Sequence, residues 1–470
     1  MNVFYRPLTL ALLVIVSGCM IKPPPVTEYN PVELSSSSPL VKNLDKIAVS
    51  ESEPVNGAIS LNECVRLAFQ NRRSLSLADR RIATNLAQAR ELAAEDYPQL
   101  TGDLRWEGRN NDATSLGAGD RTNTSSAVEL SVPLYDFGRT RNRVRAQRQR
   151  AEAAADDAAR LRETVRLAVS QVYFQVLEAH KQKQVVEQSI NVLEEQLQIA
   201  RDYFEQGLVA RNDVLAAEVQ LAERQQNLIR ANNDIRVTLS RLNRLIGLPV
   251  THETRLRDLN EVTPWDGSLT VLFQRAMEQR ADLKALQRRI EAVSNEYRAA
   301  AAEYTPDLTA FGQHMYSSDG ALANQSWITM GIGVRLPFYR GGARQARLAQ
   351  LENEIIDAAE RRDQHADDIL LDVKDAYLRL ANAREQLPVA QKRIELGREN
   401  LQVTRDRYNQ GLVTQTDVLA EENRLIRARS DYFAALYSYH RAVARLRNVI
   451  GGPLPPRAEA EASEGENSES

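Results

Sequence analysis

The sequence is poor in the residues from which disulfides, metal sites and nucleophilic active sites are built. It has two cysteines and five histidines in 470 residues, and the histidines show no spacing typical of metal ligands. It also has no glycine-rich phosphate loop and no nucleophile motif. We therefore expect no catalytic residues, no metal site and no cofactor.

The sequence also lacks an excess of charge. The net charge is -3 and aromatic residues make up 6%, so no global field favours nucleic acid or an acidic substrate. Six arginines lie within residues 139–150, a density that would suggest nucleic-acid binding in a cytoplasmic protein. The secretion signal described next removes that partner, and we expect these arginines to face water or lipid phosphates.

The N-terminus indicates secretion. An apolar run over residues 8–16 follows an arginine and is too short to span a bilayer as a helix. The order Val16-Ser17-Gly18-Cys19 resembles the bacterial lipobox, which implies that residues 1–18 are a signal peptide and that Cys19 is acylated. In that resemblance Met20, in place of aspartate, favours the outer membrane. A plain signal peptide with an incidental cysteine is the alternative.

An internal repeat organises the remaining chain. The segment RDYFEQGLVARNDVLAAE, which starts at Arg201, matches RDRYNQGLVTQTDVLAEE, which starts at Arg405, at an offset of 204. The same offset relates distant prolines and glycines: Pro133 with Pro337, Gly138 with Gly342, Gly247 with Gly451, and Pro249 with Pro453. For Pro98 and Pro306 the offset is 208, so the second half is four residues shorter after these prolines.

The repeat sets the expected boundaries of the fold. We expect repeats at 59–249 and 268–455, joined by a linker at 250–267. Residues 19–58 are rich in proline and serine and predict a lipid-anchored tether. Residues 456–470 are rich in glutamate, serine and glycine and predict a disordered tail.

Each repeat predicts a hairpin of two long helices. Residues 139–206 contain no proline or glycine, and a helix of that extent is about 100 Å long. Its apolar residues follow coiled-coil spacing at Ile190, Leu193, Leu197, Ala200 and Phe204. Gly207 ends this helix, and residues 212–213 are expected to cap a second helix that ends at Gly247. The second half repeats these signals at Gly411, Thr416, Asp417 and Gly451. There Pro388 predicts a kink.

Two segments in each repeat alternate apolar and polar side chains, as strands do. The apolar face carries Leu100, Leu104, Trp106, Val128, Leu130, Val132, Ile328, Met330, Ile332, Val334 and Leu336. Loops rich in glycine, asparagine, aspartate and serine separate the members of each pair, which predicts two hairpins. This pattern suits a transmembrane barrel, although a soluble sheet has it too. Four strands cannot close a barrel in lipid, so a membrane barrel requires several chains.

These residues resemble the TolC-type outer-membrane efflux proteins, in particular their lipidated branch. The resemblance is carried by the duplicated QGLV turn followed by DVL, by SVPLYDFGR and RLPFYRGGAR at the strand-to-helix junctions, and by the closing IGLP and IGGPLP. It implies a mainly α fold with a transmembrane β part. In that fold a long α-helical barrel, or tunnel, continues a trimeric twelve-stranded β-barrel to which each chain gives four strands.

The resemblance also implies partners and a location. In that family the tips of the helical hairpins dock on a periplasmic adaptor protein, which links the duct to an inner-membrane pump. The matching tip residues are Gly207, Leu208, Val209, Gly411, Leu412 and Val413. The implied assembly is a homotrimer in the outer membrane, in contact with its lipid and anchored by Cys19, that extends into the periplasm.

The resemblance places a gate at the periplasmic end of the tunnel, made of tethers between helices and a ring of aspartates. The tyrosine of the tether matches Tyr408, its aspartate partner matches Asp213, and one ring aspartate matches Asp417. The second aspartate of the family corresponds to Ala420, and an arginine of some members corresponds to Val413. We therefore expect a less acidic and less strongly bonded aperture. Helix N-capping is the alternative role for the two aspartates.

The function implied by the resemblance is a passive exit duct for drugs or other small toxic compounds in a tripartite efflux system. The closest alternative is the outer-membrane duct of a type I protein secretion system. An alternative from a different class is a lipid-anchored coiled-coil scaffold that never spans the membrane.

Overall fold

The computed structural model describes residues 57–109, 121–259, 265, 267–318 and 324–455. The expected signal peptide, the lipidation site, nearly all of the tether and the C-terminal tail lie outside the described residues. The structure therefore does not test those predictions.

Each repeat contributes four α-helices and two strands to the described part of the chain. The first repeat consists of α1 (Leu61–Asn71), α2 (Arg73–Ala93), β1 (Gln99–Arg109), β2 (Arg121–Tyr135), α3 (Arg139–Glu205) and α4 (Arg211–Ile246). The second consists of α5 (Leu269–Gln279), α6 (Ala281–Ala301), β3 (Asp307–Ser317), β4 (Ser326–Arg335), α7 (Ala343–Asn409) and α8 (Gln415–Val449). One-turn 3-10 helices, Ala94–Asp96 and Ala302–Tyr304, precede β1 and β3. The predicted strand and helix hairpins are confirmed, whereas the bounds of the two helices that open each repeat were not predicted.

Glycines mark both ends of the long helices. The helices α3 and α7 each have 67 residues, and each begins directly after a glycine with positive φ, Gly138 or Gly342. Gly207 and Gly411 then adopt φ of 73° and 72° in the turn that follows each helix. A side chain with a Cβ is strained at such angles, so glycine fixes the places where the chain leaves the helix.

The expected helix caps were wrong by two residues. Helix α4 begins after Ala210, which has no side-chain oxygen to offer, and Asp213 lies within the first turn. Helix α8 is capped by Thr414, whose hydroxyl accepts a hydrogen bond from the backbone N–H of Asp417. The extended backbone that defines an N-cap falls at these earlier positions because the glycine turn is only a few residues long. Helix α7 continues through Pro388, and the predicted kink stays a prediction.

The two long helices, α3 and α7, take part in two successive layers of helix packing. Near the sheet, α3 packs between α2 and α6, and α6 packs against α7. Farther from the sheet, α3 packs between α4 and α8, and α8 packs against α7. Both layers therefore have α7 as an outer helix, with α2 or α4 at the opposite side. No helix among the described residues is long and apolar enough to cross a membrane.

The four strands form one antiparallel sheet in the order β1-β2-β3-β4. The register places Leu100 opposite Leu130, Val128 opposite His314, and Ile332 opposite Ala310. Because side chains alternate along a strand, this register puts the predicted apolar residues of all strands on one face. The two hairpins are thus joined through β2 and β3, and β1 and β4 remain as open edges within the described chain.

An apolar core lies where α1, α3 and α4 meet, and it holds the N-terminal end of the fold. Ile59 forms an isolated parallel bridge with Leu256. The hydroxyl of buried Tyr173 shares its one proton between the carbonyl oxygens of Arg257, at 2.5 Å, and Ile59, at 3.2 Å. The backbone N–H of Arg257 donates to the carbonyl of Ile59 at 2.9 Å. Tyr173 therefore ties the segment before α1 to the segment between the repeats.

We predict that Tyr173→Phe loosens this bridge, because a buried carbonyl oxygen loses its donor at a cost of about 1 to 2 kcal/mol. Amide hydrogen exchange at Ile59 and Arg257 should become about fivefold faster or more, while exchange in α7 stays unchanged. The control is Tyr377→Phe, at a half-buried tyrosine whose hydroxyl makes no hydrogen bond to the described residues. Unchanged exchange at Ile59 would show that the tyrosine acts by packing alone.

Candidate functional site

The two hairpin tips have the same backbone geometry. At the first tip the N–H of Gly207 donates to the carbonyl of Phe204, and the N–H of Leu208 donates to the carbonyl of Tyr203, both at 2.9 Å. The second tip repeats these bonds from Gly411 and Leu412. This pair of bonds closes a helix C-terminus in a fixed turn. Each tip thus holds its leucine in a defined position.

The leucines of both tips are bare. Leu208 is 67% exposed and Leu412 is 68% exposed, whereas Val209 and Val413 are half-buried. A large apolar side chain held in water on a rigid turn is a typical feature of a contact surface. The structure places the six expected docking residues at two tips of equivalent backbone geometry, three residues at each, with one exposed leucine per tip.

Tyr408 lies inside the second hairpin near its tip. It is 9% exposed and packs with Leu401, Val418 and Leu425, and its ring centre is 6.1 Å from that of Tyr203. Its hydroxyl is buried and has no hydrogen-bond partner within the described chain. Burial raises the pKa of Tyr408, so the phenol stays neutral and can donate one hydrogen bond.

Asp213 lies near Tyr408 without bonding to it. The charge of Asp213 is the second cause, after burial, that raises the pKa of Tyr408. Asp213 is half-buried in the first turn of α4, and no hydrogen bond to its carboxylate occurs among the residues that the structure describes. One chain therefore brings the two expected tether residues close together and leaves the bond between them unmade.

Asp417 has a different environment from Asp213. Its carboxylate accepts hydrogen bonds from the N–H and the hydroxyl of Thr414, at 2.9 and 2.7 Å, which completes a capping box. The hydrogen bonds from Thr414 hold the pKa of Asp417 below its usual range. The capping alternative thus describes Asp417 in this structure, although the side chain is exposed. It does not describe Asp213, because Ala210 stands where the second tip has Thr414.

An ion pair near each tip, exposed in the first hairpin and largely buried in the second, was missed from the sequence. Arg201 binds Glu218 at 2.7 Å, and the residues 204 positions later, Arg405 and Glu422, bind at 2.8 Å. The first glutamate side chain is 41% exposed and the second is 6% exposed. Burial raises the pKa of Glu422, while Arg405 opposes this shift. The offset of the repeat was the signal that could have found this pair.

The second hairpin also contains a buried amide. Gln415, the first residue of α8, is 1% exposed, and neither its amide nitrogen nor its amide oxygen has a partner in the part of the chain described. The equivalent residue of the first hairpin, Arg211, is exposed. The tips therefore share their backbone and differ in their polar side chains.

The arginines that follow β2 divide into two sets, so the expectation for them was only half right. Arg139 binds Asp307 at 2.9 Å, Arg143 lies between Glu95 and Glu303, and Arg150 binds Glu296. These arginines join α3 to acidic residues of α6, of β3 and of the two 3-10 helices. The other set is exposed and has no ion pair within the described residues, and it comprises Arg141, Arg145 and Arg148.

The open sheet exposes its apolar face. Leu104 is 80% exposed, Met330 is 79% exposed and Ile332 is 70% exposed. At the junctions between strands and long helices, Phe338 and Tyr339 are also bare. Contiguous apolar surface bordered by aromatic side chains and arginines is typical of a surface in contact with lipid.

The chain matches known proteins along most of its length. The model of the outer membrane efflux protein family matches residues 64–248 and, again, residues 272–452. The cation efflux system protein CusC of Escherichia coli O157:H7 is 26% identical over 404 residues, which cover 82% of this chain and 84% of CusC. The alkaline protease secretion protein AprF of Pseudomonas aeruginosa is 24% identical over 343 residues, which cover 69% of each protein.

A solved structure shows the same fold. The outer-membrane channel OprN superposes with a TM-score of 0.73 at 20% sequence identity, and the match covers 83% of this chain and 90% of OprN. The fold class expected from the sequence, long helices continuous with the strands of a membrane channel, is therefore confirmed. Since the family model matches both halves of the chain, this protein belongs to the outer membrane efflux protein family.

Proposed function

We propose that three copies of the chain form a duct through the outer membrane and the periplasm, which serves as the passive exit of a tripartite efflux system. The observation that carries the proposal is an open sheet with one apolar face that leads directly into helices of 67 residues. Single-chain membrane barrels have about eight strands or more, so four strands require further copies. Assembly is also a property of the family.

The exposed face of α7 supports this assembly. Leu371, Leu378 and Val389 of α7 are 68%, 55% and 61% exposed. The residues 204 positions earlier in α3 are buried, at 8%, 4% and 3% exposed, and they are Leu167, Phe174 and Val185. The two long helices thus carry the same apolar face, which is covered in α3 and bare in α7. A neighbouring copy would cover it.

The tips supply the docking surface for an adaptor in this proposal. Leu208 and Leu412 project from rigid turns at the ends of the hairpins, farthest from the sheet. The sequence offers no phosphate-binding loop, so energy must come from a partner. We assign that part to an inner-membrane pump, which a periplasmic adaptor links to Gly207, Val209, Gly411 and Val413 at the tips.

The lipid anchor at Cys19 belongs to the proposal as well. The lipobox-like order before Cys19 supports acylation and an outer-membrane location. Acyl chains contribute about 0.8 kcal/mol per buried methylene group, and the sheet would contribute far more contact area. The anchor therefore directs the chain to the membrane, and the sheet holds it there.

We assign drugs and other small toxic compounds as the exported class. CusC is named a cation efflux protein, which supports export of small solutes by a relative. AprF is named a protease secretion protein, and it favours the second candidate, a type I protein secretion duct. The chain is similar to relatives of both uses over most of its length, so we assign the choice of cargo to the pump.

The duct is expected to conduct ions and to stay in the membrane without its lipid. A variant with a cleavable signal and no Cys19 should remain with the membrane after a carbonate wash and form pores in planar bilayers. The wild-type chain should gain the mass of the acyl groups, measured by mass spectrometry. A variant that washes off and forms no pores would instead support the coiled-coil scaffold.

The gate is expected to open when Tyr408 loses its hydroxyl. A buried hydroxyl without a partner costs about 1 to 3 kcal/mol, so the closed assembly should supply an acceptor, for which we propose Asp213. Tyr408→Phe and Asp213→Ala should both increase the single-channel conductance. Tyr203→Phe, at the adjacent ring of the first hairpin, is the matched control. Equal conductance of all variants and the parent would show that this tether does not hold the aperture.

Deletion of the gene should separate the two candidate cargoes. We expect a deletion strain to become more sensitive to toxic small compounds, with normal secretion of proteins, and to recover when the chain is supplied again. Growth on a panel of such compounds and analysis of secreted proteins provide the measurement. Unchanged sensitivity together with the loss of one secreted protein would establish the secretion duct in place of the efflux duct.

A further inference from the structure

The contact between the two repeats inside one chain is a template for the contact between two copies. Within the chain, β2 pairs with β3 and α3 packs against α6. In the proposed ring, which the inference presupposes, β4 and α7 of one copy face β1 and α2 of the next. The start of α7 lies 204 positions after that of α3, and the start of α2 lies 208 positions before that of α6. Each pair of helices has equal length, with 67 and 21 residues.

Shifting both members of each internal contact by these offsets gives the contacts between copies. We propose that the seam between copies is closed by three ion pairs: Arg335 with Asp103, Arg347 with Glu95, and Glu360 with Arg80. The first residue of each pair belongs to one copy and the second to its neighbour. The partner that fits this surface is thus a second copy of the same chain, in one defined register.

The strands give the first pair. Inside the chain Ser131 is opposite Phe311, and the shift turns this contact into Arg335 opposite Asp103. Both residues lie on the polar face of the sheet and are exposed, and neither has an ion pair within the described residues. Asp307, which lies opposite Arg335 on β3, binds Arg139 instead. Opposite charges directly across two antiparallel strands attract each other.

The same register joins the apolar faces. The internal contacts of Leu130 with Gly312 and of Val128 with His314 become Val334 with Leu104 and Ile332 with Trp106. All four of the resulting side chains are at least 66% exposed in one copy. A slip of one strand by one residue would put the two charged side chains on opposite faces of the sheet, so these contacts fix the register of the seam.

The helices give the other two pairs. Inside the chain Arg143 approaches Glu303 at 3.9 Å, which becomes Arg347 with Glu95. Arg288 binds Asp156 at 2.7 Å, which becomes Arg80 with Glu360. 

These helical residues are available for a partner. All four are exposed, and the one ion pair of Glu95 among the described residues of its own copy is with Arg143 at 3.6 Å. The other three, Arg80, Arg347 and Glu360, have no ion pair within the described residues. The fully buried Ala285 of the internal seam corresponds to Leu77, which is 64% exposed in one copy and would be covered in the ring.

Several internal ion pairs do not carry over: Arg139 with Asp307 becomes Ala343 with Gln99, and Arg150 with Glu296 becomes Glu354 with Gln88. Another of them becomes repulsive. Arg289 binds Asp157 inside the chain at 2.5 Å, and the shift gives Arg81 facing Arg361, which have like charges. The seam between copies is therefore weaker at this level than the seam inside the chain. The substitution Arg361→Asp would restore the internal arrangement.

A carbodiimide reagent tests the seam, because it joins an amine to a carboxylate only when the two groups are in contact. The variant Arg80→Lys in the full-length protein in detergent should become crosslinked to Glu360 of another copy. Gels should show bands of two and three chains, and peptide mass spectrometry should identify the link between positions 80 and 360. The matched control is Arg288→Lys, which should link to Asp156 or Glu152 within one chain and give no larger band.

Native mass measurement separates failure of the seam from failure of the proposed function. A trimer that gives no link between positions 80 and 360 overturns the seam and leaves the duct intact. A monomer overturns both. A second set of variants does not depend on crosslinking: Asp103→Arg should reduce the trimer fraction, and Asp103→Arg combined with Arg335→Asp should restore it. Arg361→Asp should raise the salt concentration at which the trimer dissociates, and no change in any of these fractions would contradict the register.

Discussion

Unpaired backbone groups at the edges of the sheet impose the constraint on which the rest of the structure depends. Among the described residues, β1 and β4 each have one row of N–H and C=O groups without a partner, and the apolar side chains on the sheet between them are exposed. In hydrocarbon an unpaired polar group costs several kcal/mol, and a strand has several such groups. The sheet therefore cannot enter a membrane as one copy. Assembly is a condition for this fold in lipid and not an addition to it.

The same constraint explains why the two halves are nearly equal. A ring closes when each of its units presents the same two edges to its neighbours. Two halves with a repeated sequence form two such units within one chain. The glycines before and after α3 and α7 give the two long helices the same length and the same turns. The halves can then differ only where the ring does not need them to be equal. The polar residues near the tips are such a place, since Ala210 replaces Thr414 and Arg211 replaces Gln415.

The sequence predicted the features that depend on local physics. Gly207, Gly411 and Gly247 mark helix ends because glycine adopts a positive φ without strain. A glycine after a helical pattern can be recognised from the sequence alone. The alternation of apolar and polar residues in β4 predicted its apolar face, because successive side chains of a strand point to opposite faces. The cap of α4 could not be found in this way, because Ala210 takes an N-cap conformation that its side chain does nothing to favour. The unmade bond between Tyr408 and Asp213 likewise depends on the distance between two hairpins, which no local pattern records.

Contacts between elements needed both the repeat and the structure. The offsets of 204 and 208 relate residues in the two halves, but they do not say which helix lies beside which. The packing of α3 against α6 supplies that information. With it, the offsets convert each contact inside the chain into a contact between copies. The pair of Asp156 and Arg288 corresponds to Glu360 and Arg80, which also have opposite charges. The pair of Asp157 and Arg289 corresponds to Arg361 and Arg81, which repel each other. A pair survives duplication only when both of its residues keep complementary charges. The seam between copies is therefore a selected subset of the seam inside the chain.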